Sequence, residues 1–383
     1  MSSPLLLDGL LVADFTRVLA GPLCSQLLAD AGARVIKVEE PEKGDETRRW
    51  GPPFREGVSA YFLSVNRNKE SLALDLKRDG DVVRRLIERA DVVLDNFLPR
   101  QRAALLGDVR VINPRAVHCS ISGYDADTPD AGTPGYDLLA QAGAGLMSIT
   151  GEADGEPMKV GVALADVLTA HYAFGAVCAA LVARVRTGNG ASIEVSLFSA
   201  TLASLVNIAQ SALMTGKEAR RYGNAHPSIV PYQLFHGRDR AFALGAGTDR
   251  HFEQLCREVI GRPELLADER FATNEARVSN REALIPMLEE TFADKAAEEW
   301  VDRCRKAAIP ASLVQGVHEA LRSENGRVLI EEVEHERIGS YEAVRNPVRV
   351  NGERMPIRSA PPEIGEDTEK ILRELGFSAR ATS

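Results

Sequence analysis

The stretch Leu11–Glu39 reads LVADFTRVLAGPLCSQLLADAGARVIKVE, and its periodicity sets the fold class. Leu11–Phe15 is a short continuous apolar run, the mark of a strand covered on both faces. Ala20–Ala31 carries apolar residues at helical spacing and is closed by Gly32, and Arg34–Glu39 returns to a strand. Strand, helix and strand in that order make the crossover unit of a parallel sheet. The pattern recurs downstream: a helix over Asp81–Arg89, a strand over Asp91–Leu94, and a strand over Ala116–Ile121 after the Asn113-Pro114 turn. The expected fold is therefore α/β, with a Rossmann-like parallel sheet whose ligands lie at the carboxyl ends of its strands.

The texture changes near Arg220–Pro231, which is rich in Tyr, Gly, His and Pro. Beyond it come short strands (Tyr232–Phe235, Ala241–Leu244) and charged amphipathic helices up to about Leu321. Leu329–Val350 is strand-rich again, and Thr368–Leu375 reads as a final helix. This predicts a large domain over residues 1–215, a smaller α+β domain over 228–322, and a return to the large domain over 329–383.

A chain of 383 residues with a net charge of −9 and no long basic stripe excludes general nucleic-acid binding. The five scattered cysteines show no CxxC or Cys/His spacing, so zinc and disulfide scaffolds are excluded too and a reduced, cytoplasmic protein is expected. Leu5–Leu7 has no basic start and does not read as a signal peptide. Val160–Val185 and Val195–Met214 approach membrane-spanning length. Asp166, His171 and Arg184 interrupt the first and Ser204, Asn207 and Gln210 the second, which predicts buried helices and no membrane partner.

No GxGxxG follows the first strand; Thr16-Arg17-Val18-Leu19-Ala20-Gly21-Pro22 stands there. GxSxG, HExxH and P-loop motifs are absent, and no histidines have metal-ligand spacing, so neither a metal nor a cofactor is expected. Asp166 lies in the apolar run Gly161–Leu168, shortly after Pro157, where a helix should begin. Two readings fit a carboxylate there: a helix-capping or hydrogen-bonded aspartate, and a nucleophile whose charge is favoured by the helix end. Gly245–Thr248 fits either an ordinary turn or a mobile cover. Arg48, Arg49, Arg67, Lys69, Lys77 and Arg78 form a basic cluster that fits either phosphate binding or a solvated surface. His226 stands out among the histidines because it lies in the Gly/Pro-rich crossing.

Several long motifs together carry a family resemblance. They are DFTRVLAGP (Asp14–Pro22), LLADAGARVIKVEEPEKGD (Leu27–Asp45), NRNKESLALDLK (Asn66–Lys77), ADVVLDNF ending at Phe97, SISGY ending at Tyr124 and GYDLLAQAGAGLMSITG (Gly135–Gly151). With them the chain resembles the class III CoA transferases, the family of formyl-CoA and crotonobetainyl-CoA transferases. The resemblance implies an interlinked homodimer, acyl-CoA and a free carboxylic acid as substrates, and Asp166 as the nucleophile that becomes an aspartyl-CoA thioester. It also implies CoA contacts at Val18, Leu74, Lys77, Asn96, Phe97 and Tyr136, with Gly245–Thr248 as the counterpart of a covering loop. Some members have an arginine for CoA where this chain has Glu40, a place that Arg100 or Arg102 would then take.

The same fold hosts 2-methylacyl-CoA racemases, which carry histidine before the aspartate of a GHD segment. Here the segment is Gly135-Tyr136-Asp137, and a phenol that ionises near about 10 is a poor proton exchanger at neutral pH. Transferase is therefore preferred over a racemase or a non-catalytic CoA-binding homologue. TRRWGPPF (Thr47–Phe54), SVNRNK (Ser64–Lys69) and YGNAHPSIVPYQLF (Tyr222–Phe235) are similar to the succinyl-CoA–dicarboxylate subgroup, whose acids are glutarate, itaconate, mesaconate or citramalate. A second carboxylate on the acid needs a cation, and Arg67, between two asparagines, is the expected partner.

Overall fold

A computed structural model describes residues Leu5–Ser378. The chain divides into two compact units: one runs up to Met147, resumes over Lys159–Lys217 and again from Glu324, and the other comprises Ser148–Met158 and Glu218–Ser323. Ser148–Met158, expected in the large domain, thus belongs to the second unit, because Arg221 donates to the carbonyls of Ser148, Glu152 and Gly155.

The first unit is built on strands β1 (Leu11–Asp14), β2 (Arg34–Glu39), β3 (Lys69–Ala73), β4 (Val92–Asp95), β5 (Val117–Ser122) and β6 (Ser192–Ser196). They form one six-stranded sheet in the order β3-β2-β1-β4-β5-β6, and every pairing is parallel. The order reverses between β1 and β4, so the chains leaving their carboxyl ends diverge and open a crevice. Helices α1 (Ala20–Asp30), α2 (Ala60–Val65), α3 (Gly80–Arg89), α4 (Asp137–Gly143), α5 (Leu164–Thr187), α6 (Leu197–Ala203) and α7 (Val206–Thr215) belong to the same unit. One apolar cluster packs α1 and α5 on Val12, Val35, Leu94 and Cys119, and another packs α3 and the C-terminal helix on Ala13, Ile36, Leu72 and Val93. The sheet is therefore covered on both faces, which is why its central strands read as unbroken apolar runs.

The second unit has a three-stranded antiparallel sheet of β7 (Tyr232–His236), β8 (Ala241–Gly245) and β9 (Ala311–Leu313), with β8 in the middle. Helices α8 (Asp249–Gln254), α9 (Arg281–Phe292) and α10 (Ala297–Lys306) enclose a core in which Phe235, Phe242, Phe292 and Trp300 stack edge to face. The chain then returns to the first unit with the hairpin β10 (Ile330–His335) and β11 (Gly339–Val344) and ends in α11 (Thr368–Leu375), whose Ile371, Leu372 and Leu375 are buried.

By length and composition α5 is the one described helix apolar enough to cross a membrane. It buries only a stripe of Ala165, Thr169, Ala170, Ala173, Val177 and Leu181, leaving Val182 and Val185 exposed. In α7 no residue is buried, and Leu213 and Met214 are 80% and 78% exposed. The expectation of buried helices fails for α7 and for half of α5: among the described residues nothing covers these apolar faces.

Gly123, just past β5, and Gly135, just before α4, meet backbone to backbone. A Cβ on Gly135 would lie 2.3 Å from the Cα of Gly123. Ala at position 135 must push the two segments apart, and about 1–3 kcal/mol of stability should be lost, as in other overpacked sites. Urea unfolding of Gly135→Ala checks this, with Gly161→Ala as the control, since nothing lies within 4 Å of a Cβ there.

Candidate active site

The crevice between β1 and β4 is lined by the turn Thr16–Leu19 that leads into α1. Asp14, fully buried at the end of β1, accepts from the Thr16 amide (2.9 Å), the Thr16 hydroxyl (2.5 Å) and the Ser25 hydroxyl (2.5 Å). Arg17 and Asn96 exchange two bonds: the Arg17 amide donates to Asn96 Oδ1 (3.1 Å), and Asn96 Nδ2 donates to the Arg17 carbonyl (2.8 Å). The turn after β1 is thereby fastened to the turn after β4.

Asp166 lies in the first turn of α5, on the far side of this crevice. No side chain of α5 caps its own start; Asp137, the first residue of α4, accepts from the Ala165 amide (2.9 Å) and from Gln141 Nε2 (2.8 Å). Asp166 lines the first cavity together with Ala20, the first residue of α1. Burial, helped by the negative charge of Asp137, pushes its carboxyl up to about 7, and the Ala20 amide opposes them. A carboxylate so placed is poorly solvated and reactive, yet substantially ionised at neutral pH.

A cavity of about 290 Å³ exposes Asp166 together with Val18, Asn96, Phe97 and Tyr136. A second, of about 670 Å³, is lined by Leu74 and Lys77 with Lys43, Arg49 and Arg78. The two share Arg17, Glu46, Phe97 and Gln101, so all the expected CoA residues fall on one continuous groove that begins at Asp166. The larger cavity carries Lys43, Arg49, Lys77 and Arg78, cations able to meet phosphates, alongside the carboxylates of Glu40, Glu42 and Asp75. Glu40 lines the second cavity, and Arg17, Lys43 and Arg49 stand around it as cations. Arg102 lines the first cavity and sits 3.8 Å from Glu194.

Arg67 lies in neither cavity and does not face an acid substrate. It is 7% exposed, and its guanidinium donates to both oxygens of Asp30 (2.9 and 2.6 Å) and to the Val344 carbonyl (2.9 Å). Reading it as the partner of a substrate carboxylate is corrected by this pair: the fork is already occupied by a carboxylate from α1. The basic cluster divides in the same way. Arg48 pairs with Glu39, and Lys69 is buried against Asp14, Asn66 and the Pro22 carbonyl, while Arg49, Lys77 and Arg78 line the groove.

One residue that the sequence did not single out responds to these carboxylates. Tyr61, on α2, feels the charges of Asp166 and Asp137; burial first, and then those charges, push its phenol up to about 12. It therefore stays a neutral donor beside the carboxylates, with Trp50 packed edge-on at 5.2 Å. In the second unit, Ala246 donates to the Pro231 carbonyl (2.9 Å) and the Thr248 hydroxyl caps α8, so only Gly247 of the Gly245–Thr248 turn is open on all sides. The ring of His226 packs on Tyr232 at 5.3 Å, and its Nδ1 accepts from the Ser228 amide.

With this geometry in view, the comparisons decide the family. The model of CoA-transferase family III matches residues 7–368. The chain belongs to that family. It is 40% identical to the mouse succinyl-CoA:glutarate CoA-transferase, over 96% of this chain and 86% of that protein. It is 38% identical to the succinate–glutarate CoA-transferase of Agrobacterium fabrum, over 96% and 95% of the two. The crystal structure of a CAIB/BAIF family protein from Brucella suis superposes with a TM-score of 0.86 at 38% identity, covering 97% of this chain and 100% of that one. The protein is thus a class III CoA transferase.

Two outcomes follow. Arg67→Met should cost about 3–5 kcal/mol of stability, because Asp30 is left charged and buried. Denaturant midpoints check that, and the ratio of rates with mono- and dicarboxylic acids should stay unchanged. If Asp166 is the attacking carboxylate, kcat/KM for acyl-CoA should fall about tenfold per pH unit below about 7 and level off above it. Asp137→Asn, which removes the like charge, should move that limb to lower pH.

Proposed function

We propose that this transferase moves CoA from succinyl-CoA to a dicarboxylic acid through a thioester on Asp166. The observation that carries the reading is the placement of Asp166: a half-buried carboxylate in a cavity that shares lining residues with a second one bearing Lys43, Arg49, Lys77 and Arg78. A carboxylate oxygen of Asp166 attacks the thioester carbonyl and expels CoA thiolate, leaving a mixed anhydride. The thiolate then attacks Cγ of Asp166, releases the donor acid as its carboxylate and forms the aspartyl-CoA thioester. The acceptor carboxylate attacks that thioester, giving a second anhydride and CoA thiolate again. Attack of the thiolate on the acceptor's acyl carbon yields the new acyl-CoA and restores Asp166. Each anhydride is consumed within the groove, so the thioester energy is conserved as long as water is kept out. As written, the cycle needs no metal and no cofactor.

Lys77, Arg49 and Lys43 are assigned to the CoA phosphates, and Val18, Leu74, Asn96, Phe97 and Tyr136 to the remainder of CoA. The mouse and Agrobacterium fabrum relatives, both named for glutarate, support a five-carbon dicarboxylate as acceptor. The racemase alternative is disfavoured by Tyr136, which stands where a second proton carrier would be needed. The homodimer is supported by the uncovered apolar faces of α5 and α7, where Tyr172, Val182, Val185, Val206, Leu213 and Met214 are exposed. The unpaired cysteines suit the cytoplasm.

The test is mass spectrometry of the purified enzyme given succinyl-CoA and a panel of acids. New CoA esters of glutarate or a near relative are expected, and none with Asp166→Ala. After exposure to succinyl-CoA alone, hydroxylamine should convert Asp166 to its hydroxamate. Full turnover by Asp166→Ala, or loss of stereochemistry in a 2-methylacyl-CoA without any acceptor, would refute the reading. Analytical ultracentrifugation should show a dimer that does not dissociate into active monomers on dilution.

A further inference from the structure

Arg17, Glu46, Phe97 and Gln101 line both cavities, so the two adjoin at these residues. Arg17 and Glu46 are joined there by a single bond, from Arg17 Nη1 to Glu46 Oε1 at 3.0 Å. Among the described residues it is the one hydrogen bond of that guanidinium, so most of the fork is open. Glu46 Oε2 is shut off from water and meets no donor. A buried acceptor without a partner is unfavourable, and an ion pair whose side chains are 46% and 39% exposed adds little stability. The pair is therefore easily broken.

Only the tips of the two side chains are loose. The Arg17 amide donates to Asn96 Oδ1 and its carbonyl accepts from Asn96 Nδ2. Glu46 stands between Asp45, whose side chain is wholly buried against Lys37, and Thr47, whose hydroxyl donates to Asp45 at 2.7 Å. With both backbones held, the two tips can exchange partners without disturbing the turns that carry them.

A group that takes Arg17 from Glu46 must be an anion that reaches the junction of the cavities. A CoA ester with its acyl group at Asp166 and its phosphates among Lys43, Arg49, Lys77 and Arg78 has to pass that junction. Phosphate oxygens match the planar fork of a guanidinium and carry more charge than one carboxylate. Glu40, at the place where some members of the family have an arginine for CoA, supplies no cation, and its carboxylate accepts from the Lys43 amide at 3.0 Å. We propose that Arg17 is a further CoA-phosphate residue, kept by Glu46 until a phosphate takes it over. The pair then selects thioesters that bear phosphate over the same acyl group on pantetheine alone. Once released, Glu46 turns Oε2 out to water and the missing bond is made. The proposal rests on the reading of the two cavities as the CoA site.

The experiment is calorimetric titration of the full-length enzyme with free CoA, which needs neither turnover nor an acid substrate. Native protein is compared with Arg17→Met, Glu46→Gln and the double variant, with Tm as the check that each is folded. Both side chains are exposed enough for the variants to fold. Arg17→Met should weaken CoA about tenfold, the effect of losing a bond to a charged group. Glu46→Gln should tighten it about threefold, because the competing carboxylate is gone. The double variant should bind as weakly as Arg17→Met, since nothing is left for Glu46 to withhold. Rates with succinyl-pantetheine, which has no phosphate, should be the same for native enzyme and Arg17→Met. Unchanged binding by Arg17→Met, or weaker binding by Glu46→Gln, overturns the proposal. So does a double variant that binds about threefold tighter than Arg17→Met, which would make Glu46 a plain repelling charge. A tenfold loss with succinyl-pantetheine also overturns it, and assigns Arg17 to the acyl group or the acid. If CoA binds as expected while no dicarboxylate accepts it, the assigned acid is wrong and the exchange at Arg17 stands.

Discussion

Everything at the carboxyl ends of the strands depends on a buried set of charges that must balance among themselves. Asp14, Glu39 and Asp45 face Lys37, Lys69 and Arg48, with little or no water around them. Burial alone would neutralise each of the carboxyls; the neighbouring cations outweigh it, so Asp14 and Glu39 lie below the usual carboxylate range and Asp45 falls to about 2. Burial pulls Lys69 down to about 8 although Asp14 opposes it. Such a network tolerates no missing member, because one removed partner strands a charge in the interior. It also spans β1, β2, β3 and the turn after β2, and so sets the relative height of the strand ends that shape the crevice.

The rigidity of that floor explains how a single carboxylate across the crevice can be tuned. The ionisation of Asp166 is favoured by the Ala20 amide at the start of α1 and opposed by the negative charge of Asp137 on α4. The two act in opposite directions on a group that burial has already made reluctant to ionise. As the proposed nucleophile it needs both: enough charge at neutral pH to attack, and too little solvation to be quenched by water. Asp137 serves twice, capping α5 through the Ala165 amide and raising Asp166 through space, so the helix that carries Asp166 is started by the residue that tunes it.

The return of the chain after the second unit is welded to the first part by Asp30. This carboxylate at the end of α1 accepts from Arg67, Asn68 and Asn346, and Asn68 Oδ1 accepts from the amides of Arg358 and Ser359. A pair that looked like substrate recognition is thus a joint between segments nearly 300 residues apart, and the selectivity for the acid must come from other groups.

The periodicity of Leu11–Glu39 by itself determined the crossover unit, and with it the parallel sheet and the crevice, because a strand buried on both faces is apolar wherever no buried partner charge meets it. The long motifs determined the family and Asp166. Strands β3 (KESLA) and β6 (SIEVS) were not legible: Lys69 and Ser71 are polar by type, and are buried only because Asp14 and Glu39 await them from other strands. In the same way, whether an arginine of the Thr47–Arg78 stretch meets a substrate phosphate or a buried carboxylate is not written near it. Arg48 and Arg67 find their partners 9 and 37 residues away, while Arg49 and Lys77 face the groove. Only the tertiary structure could decide this, since local spacing sets which way a helix or strand presents its side chains, but the charge that meets them comes from another segment.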